Sequence, residues 1–502
     1  MQLGLVAFCP LAAFGQIEKT MGKWTPETAF KCPNVPIHTH VLPTGKVLFW
    51  GRRAWQDGKP VDNSPNGLNE HDSSPFLWDP QAEEGQQFTT LPKPGFNMFC
   101  SSHAFLADGR LLVIGGHRFD QKGERKATIF DPGPGKNNWT ATADMNAGRW
   151  YPTAVTLSDG SVLASFGTDE NGDPNTQQQI WKDGNWSNSA TFNDIPYYPR
   201  MHVVPDNRVF MSGPLNLTQF LDTAKGQWAP LGNRMPGQEA NALMEYAPSI
   251  QYDAGKIVYI GGGQGPPSNA VRLIDLNQPN PAWQDAKKNM SFPRRQHNGT
   301  ILPDGTILVT GGTMGSGGPN NGFNDLTPGQ PVHTPELWDP FTGVWTKMAD
   351  EAVDRCYHST AVLLPDARVF SGGGGEYFPI PNTPNPLQDS HADAQIFSPP
   401  YLFQGARPDI TSAPDQVTYQ TTFEVGTSDP DGVAQVNWIR LSSVTHSFNT
   451  NQRINFLSFS SDGTKLTVTT PASKAVCPPG HYMLFVLNKA KVPSVAKIIN
   501  IQ

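Results

Sequence analysis

Long apolar runs are missing from this 502-residue chain, and no stretch has the length and hydrophobicity to span a bilayer. Charge is sparse as well. Asp, Glu, Lys and Arg make up 16% of the residues, the formal net charge is −7, and no basic block interrupts the sequence. Nothing in the charge pattern therefore points to nucleic acid or another polyanion as a partner. Cysteine is scarce: the five residues Cys9, Cys32, Cys100, Cys356 and Cys477 are too few for a disulfide scaffold, and their spacing fits no zinc motif. Buried thiols are the ordinary expectation for them. A Gly-x-Ser-x-Gly nucleophile motif is also absent.

What the chain has in plenty is Gly (48), Pro (47) and aromatic residues (10%), the composition of a turn-rich all-β protein. Its length exceeds one ordinary core, so several domains or one large repeat architecture is expected. Residues 1–20 read as a partial signal or leader segment. Met1 to Gln16 is apolar but lacks a basic n-region, and a buried first strand is the alternative. The leader reading places the protein outside the cytoplasm, secreted or periplasmic.

One phrase recurs seven times: an extended stretch, a Pro/Asp-Gly type turn, a second apolar strand and often a Gly-Gly stop. The copies begin at His38, Ser102, Pro152, Arg200, Pro248, His297 and His358. Most are followed by a short strand ending in an Asp-Pro-like turn and then a tryptophan, as in Phe130-Asp131-Pro132 with Trp139 or Trp338-Asp339-Pro340 with Trp345. Two hairpins per unit at a period of about 50 residues is the kelch pattern of a propeller blade. Residues 21–405 are therefore expected to form a seven-bladed kelch-type β-propeller. From 406 to 502 the pattern changes to short alternating strands, which predict an immunoglobulin-like β-sandwich. The loops Gly315–Pro335 and Gly374–His391 are rich in Gly, Asn and Pro and read as surface loops around a site mouth.

Innermost propeller strands all begin on one face near the central axis, so the residues opening each repeat converge there. For repeats two, three and seven these are Phe99-Cys100, Arg149-Trp150-Tyr151 and Tyr357-His358. Neighbouring side chains on an extended strand point apart, so Tyr357 and His358 can share one target only where the backbone is irregular. In the second domain His481 follows Cys477-Pro-Pro-Gly and is expected at a hairpin tip, where it can reach out of its domain. His38, His40, His103, His117, His202, His297 and His446 lack paired spacing and are read as structural.

Cys100, Tyr151, Tyr357, His358 and His481, with the phrases Arg-Trp-Tyr-Pro, Tyr-His-Ser and Pro-Pro-Gly-His-Tyr-Met-Leu-Phe on this fold, resemble the copper radical oxidases, the galactose oxidase and glyoxal oxidase family. The resemblance runs from about Trp24 to the C-terminus. It implies one copper ion held by Tyr151, Tyr357, His358 and His481, and a Cys100 sulfur bonded to the ring of Tyr151 as a protein-derived radical cofactor. It further implies that His481 arrives on a hairpin threading the propeller channel. Two imidazoles and oxygen donors suit Cu(II) with an open position. Copper stores one oxidising equivalent and the thioether-substituted phenol would store the second. Tyr357 would take the substrate's hydroxyl proton as general base, and Tyr151 the hydrogen atom on carbon. The implied substrates are a small-molecule or carbohydrate primary alcohol, or a small aldehyde, together with O2, which leaves as H2O2.

Arg294 stands where the family has its substrate arginine, with Arg295 beside it; the competing reading makes both plain charges. Cys356 adjoins Tyr357, but neighbours cannot easily bring sulfur onto each other's ring. The tryptophan that galactose oxidases place after the third repeat's glycines is not found in Gly167-Thr-Asp-Glu-Asn171, while Trp150 precedes Tyr151, as in the glyoxal oxidase type. Which indole shields the radical is open at this stage. No stretch matches galactose oxidase's N-terminal carbohydrate-binding module, so galactose itself is not implied. The rival reading is a non-catalytic kelch propeller that binds a glycan or protein. A hydrolase would need a nucleophile motif or paired carboxylates at a blade mouth, and neither is found.

Overall fold

The computed structural model describes all residues except 1–9, 27–29, 52–54, 57–58, 61–72, 195, 317–323 and 376–390. Each of the seven repeats forms a four-stranded antiparallel blade. Blade one comprises His38–Val41, Val47–Trp50, Phe76–Trp78 and Phe88–Thr90, and blades two to six follow in chain order. Blade seven is built from both ends of the propeller: Ser359–Leu363, Val369–Gly373 and Ala394–Ser398 are completed by the outer strand Lys23–Trp24. Hydrogen bonds between blades run round the axis and return from blade seven to blade one, where Thr360 Oγ1 meets Thr39 Oγ1 at 2.9 Å.

Local sequence explains the regularity. The turn after each innermost strand needs one residue in the left-handed region, and Gly45, Gly109, Gly160, Gly255 and Gly305 supply it without a side-chain penalty. Blades four and seven use Asn207 and Ala367 at φ 70° and 68°. Innermost strands such as His38–Val41 and Thr153–Thr156 are buried at every position, because axis and neighbouring blades cover both faces. The repeated tryptophans pin outer strands to the preceding blade: Trp228 Nε1 donates to Gln178 Oε1 (3.2 Å), Trp283 Nε1 to Thr218 Oγ1 (3.1 Å) and Trp345 Nε1 to the Lys288 carbonyl (3.1 Å).

The second domain is a sandwich of five strands (Gln416–Val417, Val433–Arg440, Ile454–Leu457, Gly480–Asn488, Lys497–Ile501) over three (Thr422–Val425, Phe459–Ser461, Leu466–Thr469). Phe423, Trp438, Cys477 and Tyr482 fill the space between. One hairpin leaves it. Ser443–Thr445 and Phe448–Asn449 extend the sheet of blade one, with Thr39 opposite Val444 and His40 opposite Ser443. A piece of the second domain thus lies in the centre of the propeller.

Residues Pro10–Met21 form a helix, while residues 1–9 of the apolar start, where a first strand is the alternative, lie outside the described residues. Among the described residues no helix is long and apolar enough to cross a membrane. Cys32, Cys100, Cys356 and Cys477 are buried; Cys9 lies outside the described residues.

Candidate metal and radical centre

Six non-glycine residues one to three positions before an innermost strand have positive φ: Cys100 (62°), Tyr151 (61°), Tyr198 (44°), Tyr246 (53°), Gln296 (64°) and His358 (67°). Each such conformation costs on the order of 1 kcal/mol or more, and packing on the axis sustains it. The consequence is local. A left-handed residue breaks the alternation of an extended chain, so consecutive side chains can face the same way. Tyr357 and His358 stack with ring centroids 3.7 Å apart, and Trp150 and Tyr151 do the same at 3.7 Å, with planes 10° from parallel.

These distortions build a buried cluster. The phenol oxygens of Tyr151 and Tyr357 share a short hydrogen bond. The His446 Nε2 lies 3.1 Å from Tyr151 Oη, and its ring centroid is 4.8 Å from that of His358. His446 and Ser447, at φ 47° and 65°, form the two-residue turn of the threading hairpin, so the imidazole sits at its tip. The backbone amide of Tyr151 donates to the Cys100 carbonyl at 3.1 Å, and both side chains belong to one apolar cluster with Tyr198. Both described ends of the long loops touch the centre. Asn324 Oδ1 accepts from the Tyr357 amide (2.9 Å), and the Gly375 carbonyl accepts from His358 Nδ1 (2.7 Å). A carbonyl can only accept, so His358 carries its proton on Nδ1 and keeps its Nε2 lone pair.

Burial sets the electrostatics. It pushes the Tyr151 phenol well above its ordinary value, with Cys100 and Tyr357 adding to the rise. It holds His446 well below the usual imidazole range, and the nearby His358 and His38 act in the same direction. Both groups are thus neutral near pH 7 without a metal, and a cation would draw the phenol proton off. Among the described residues no group of three or more His, Cys, Asp or Glu forms a metal cluster. The donor set here is two imidazoles and two phenols, which fits copper.

Four of the expected residues, Cys100, Tyr151, Tyr357 and His358, come together; two do not. His481 opens the strand Gly480–Asn488 rather than a hairpin tip, and its Nδ1 lies 3.1 Å from Asn500 Nδ2. Its ring packs against the turn at Gly109. That turn is the far end of the strand that begins beside Cys100, roughly 20 Å away at about 3.3 Å per residue. His446, which sequence reasoning placed among structural histidines, occupies the position expected of His481. Its flanks, Val444-Thr445 and Phe448-Asn449, are the paired strand residues, but the His446-Ser447 turn lacks Asn-Gly chemistry and so did not announce a hairpin.

Arg294 is the second correction. Its guanidinium is fully buried in blade six, paired with Glu336 at 2.8 Å and donating to the Gly311 and Thr334 carbonyls. Arg149 and Arg355 bind blade carbonyls in the same way, at Phe166 and Gly373, so Arg294 is one copy of a repeated structural arginine. Arg295 pairs with Thr313 as Trp150 pairs with Thr168. Its Nη1 donates to the Gln264 carbonyl at 2.8 Å, on the side where Tyr197, Tyr198, Arg200, Glu245 and Tyr246 line a small depression. Cys356 Sγ faces the Gly312 carbonyl at 3.4 Å.

Known proteins similar to this one match most of its length. The family model for the galactose oxidase-like early set domain matches residues 407–501. A galactose oxidase of Gibberella zeae is 29% identical over 96% of this chain and 71% of its own length. The aldehyde oxidase GLOX of Vitis pseudoreticulata is 28% identical over 80% of this chain and 82% of its own. Among solved structures, a fungal alcohol oxidase of the AA5 family in complex with copper superposes with TM-score 0.79 at 28% identity, covering 96% of this chain and all of that one.

Proposed function

We propose, from the premise that the chain is a copper radical oxidase of the galactose oxidase and glyoxal oxidase type, that it oxidises primary alcohols or small aldehydes with O2 at the cluster on the propeller axis. The observation that carries this is the meeting of His446 Nε2 with Tyr151 Oη, itself hydrogen-bonded to Tyr357 Oη. An imidazole delivered from another domain onto two hydrogen-bonded phenols serves no evident packing need.

Tyr151, Tyr357, His358 and His446 would hold one copper ion, and Cys100 would be bonded through sulfur to the Tyr151 ring. Bound there, copper supplies one oxidising equivalent and an open position for the substrate oxygen. Once bonded to Cys100, the Tyr151 ring would hold the second equivalent, which a thioether substituent would make easier to keep. Tyr357 Oη accepts the proton of the substrate hydroxyl. Tyr151 Oη accepts the hydrogen atom from the adjacent carbon. For an alcohol the balance is RCH2OH + O2 → RCHO + H2O2. Trp150 and Tyr197 enclose the Tyr151 ring, face-on and edge-on, and limit access of water to it. Work outside the cytoplasm, with residues 1–20 as leader and the domain division at 405/406, belongs to the same proposal.

The test is peroxide release by the copper-loaded protein across a panel of primary alcohols and aldehydes, with Tyr357→Phe as comparison. Peroxide stoichiometric with product, and a loss of about 100-fold or more in the variant, is expected. Copper-free protein that releases nothing after loading would leave the glycan- or protein-binding propeller instead.

A further inference from the structure

Beside the centre lies a second group of polar side chains that the mechanism does not use. His38 and His40 project from the innermost strand of blade one, His103 from that of blade two, and Ser443 from the threading hairpin. All four are buried. They are joined in one chain of hydrogen bonds. The Cys100 amide approaches His38 Nε2 at 3.2 Å, and His38 Nδ1 meets His103 Nε2 at 3.2 Å. His103 Nδ1 meets Ser443 Oγ, and Ser443 Oγ meets His40 Nδ1 at 3.0 Å.

The direction of every proton follows from one group. A backbone N–H can only donate, so His38 Nε2 is an acceptor and the proton of the neutral ring is on Nδ1. His38 therefore donates to His103 Nε2, and His103 carries its own proton on Nδ1. His103 donates to Ser443 Oγ, whose hydroxyl proton is left to point at His40 Nδ1. The His40 proton is then on Nε2, which has no hydrogen-bond partner among the described residues. Burial keeps the rings neutral: it holds His38 and His40 well below the ordinary imidazole range and lowers His103 to about 3. Trp50 stacks on His38 and His40, with centroids 5.2 and 4.6 Å away, and walls the group off.

All dipoles in this chain point the same way, with the lone-pair ends toward Cys100. In a low-dielectric interior aligned groups reinforce one another. We propose that His38, His103 and Ser443 form an oriented relay that presents its negative end to Cys100 and so lowers the potential at which the Cys100–Tyr151 ring is oxidised. In that step one electron passes from the crosslinked phenolate to an oxidant, O2 in turnover or the redox mediator in a titration, and a neutral phenoxyl would remain; no other bond changes. The relay acts through Cys100 and touches no substrate, so its members are positioning residues. The inference rests on the copper radical reading for its effect, but the proton arrangement stands without it.

Two measurements test it. On metal-free protein with labelled histidine, nitrogen and carbon NMR shifts assigned with single-histidine variants are expected to show His38 and His103 protonated on Nδ1 and His40 on Nε2. A proton on His38 Nε2 would overturn the relay. On copper-loaded protein, the midpoint of the crosslinked ring is read by redox titration in wild type, His38→Gln and Ser443→Ala. Gln can still accept from the Cys100 amide but breaks the relay toward His103, and Ser443→Ala cuts it at the far end. Both are expected to shift the midpoint positive, with copper content and the two-hydrogen mass loss of the crosslink unchanged. Midpoints equal to wild type in both variants would reduce His38 to a local cap and overturn the proposal. Wild type without the crosslink would overturn the copper reading and the shift with it, while NMR still decides the proton arrangement.

Discussion

Trp150 lies flat on Tyr151, with ring centroids 3.7 Å apart and planes within 10°. Adjacent residues achieve this because Tyr151 is left-handed at φ 61°. The place after the third repeat's glycines, Thr168, pairs instead with the Trp150 backbone. On the proposed radical chemistry, the indole that would shield the ring is thus its chain neighbour. Trp150→Leu is expected to leave the Cys100 crosslink intact and to shorten the lifetime of the oxidised form several-fold, read as decay of its visible absorption after removal of oxidant.

The exchange of His481 for His446 gives a direct comparison. His446→Ala is expected to weaken copper binding by more than about 100-fold, since even outer partners of metal ligands contribute about 10–100-fold. His481→Ala is expected to bind copper as wild type does, because its ring faces Asn500 and the Gly109 turn. Competition titration with a chelator reads both.

Arg294 and Glu336 form an ion pair whose side chains have no solvent exposure. Removing one partner leaves a buried charge, at a cost of about 3–5 kcal/mol. Glu336→Ala should therefore lower the denaturation midpoint sharply while KM for any substrate stays near wild type. A KM increase without loss of stability would return Arg294 to the substrate site.

Acid should destabilise the protein before carboxylates titrate. Burial lowers His103 and His202 to about 3 in the folded state, against about 6.5 unfolded. Between those values the unfolded chain binds more protons, so stability is full above about pH 6.5 and falls as pH drops toward 3, by on the order of 2 kcal/mol per histidine at pH 5. Denaturant titrations of metal-free protein at pH 7.5 and 5 should separate clearly; coincident curves would contradict the buried neutral rings.

Most of the architecture was legible because it repeats. The Asp-Gly turns, Gly-Gly stops and spaced tryptophans each report a local backbone need, and seven copies made the blade readable, down to the convergence of Cys100, Tyr151 and Tyr357-His358. The hairpin tip was not legible. His446 depends on a two-residue turn made by His and Ser, neither of which advertises positive φ, whereas Pro-Pro-Gly before His481 advertises a turn that faces the wrong end of the propeller. Arg294 misled for a related reason: in one copy it looks like a lone charge, and only beside Arg149 and Arg355 does it read as blade structure. The His38–His103–Ser443 chain was hidden because it joins three strands from two domains.

The most direct test of the central claim is the intact mass of wild type and Cys100→Ser after copper loading under air, with peptide mapping of the product. Expected is a loss of two hydrogen atoms in wild type alone, with Cys100 joined to Tyr151 and not to Tyr198, whose hydroxyl is tied to the Ser101 carbonyl at 3.0 Å. One hydrogen leaves the thiol and one the ring, and O2 takes both as H2O2. An unchanged wild-type mass with copper bound would contradict the radical cofactor.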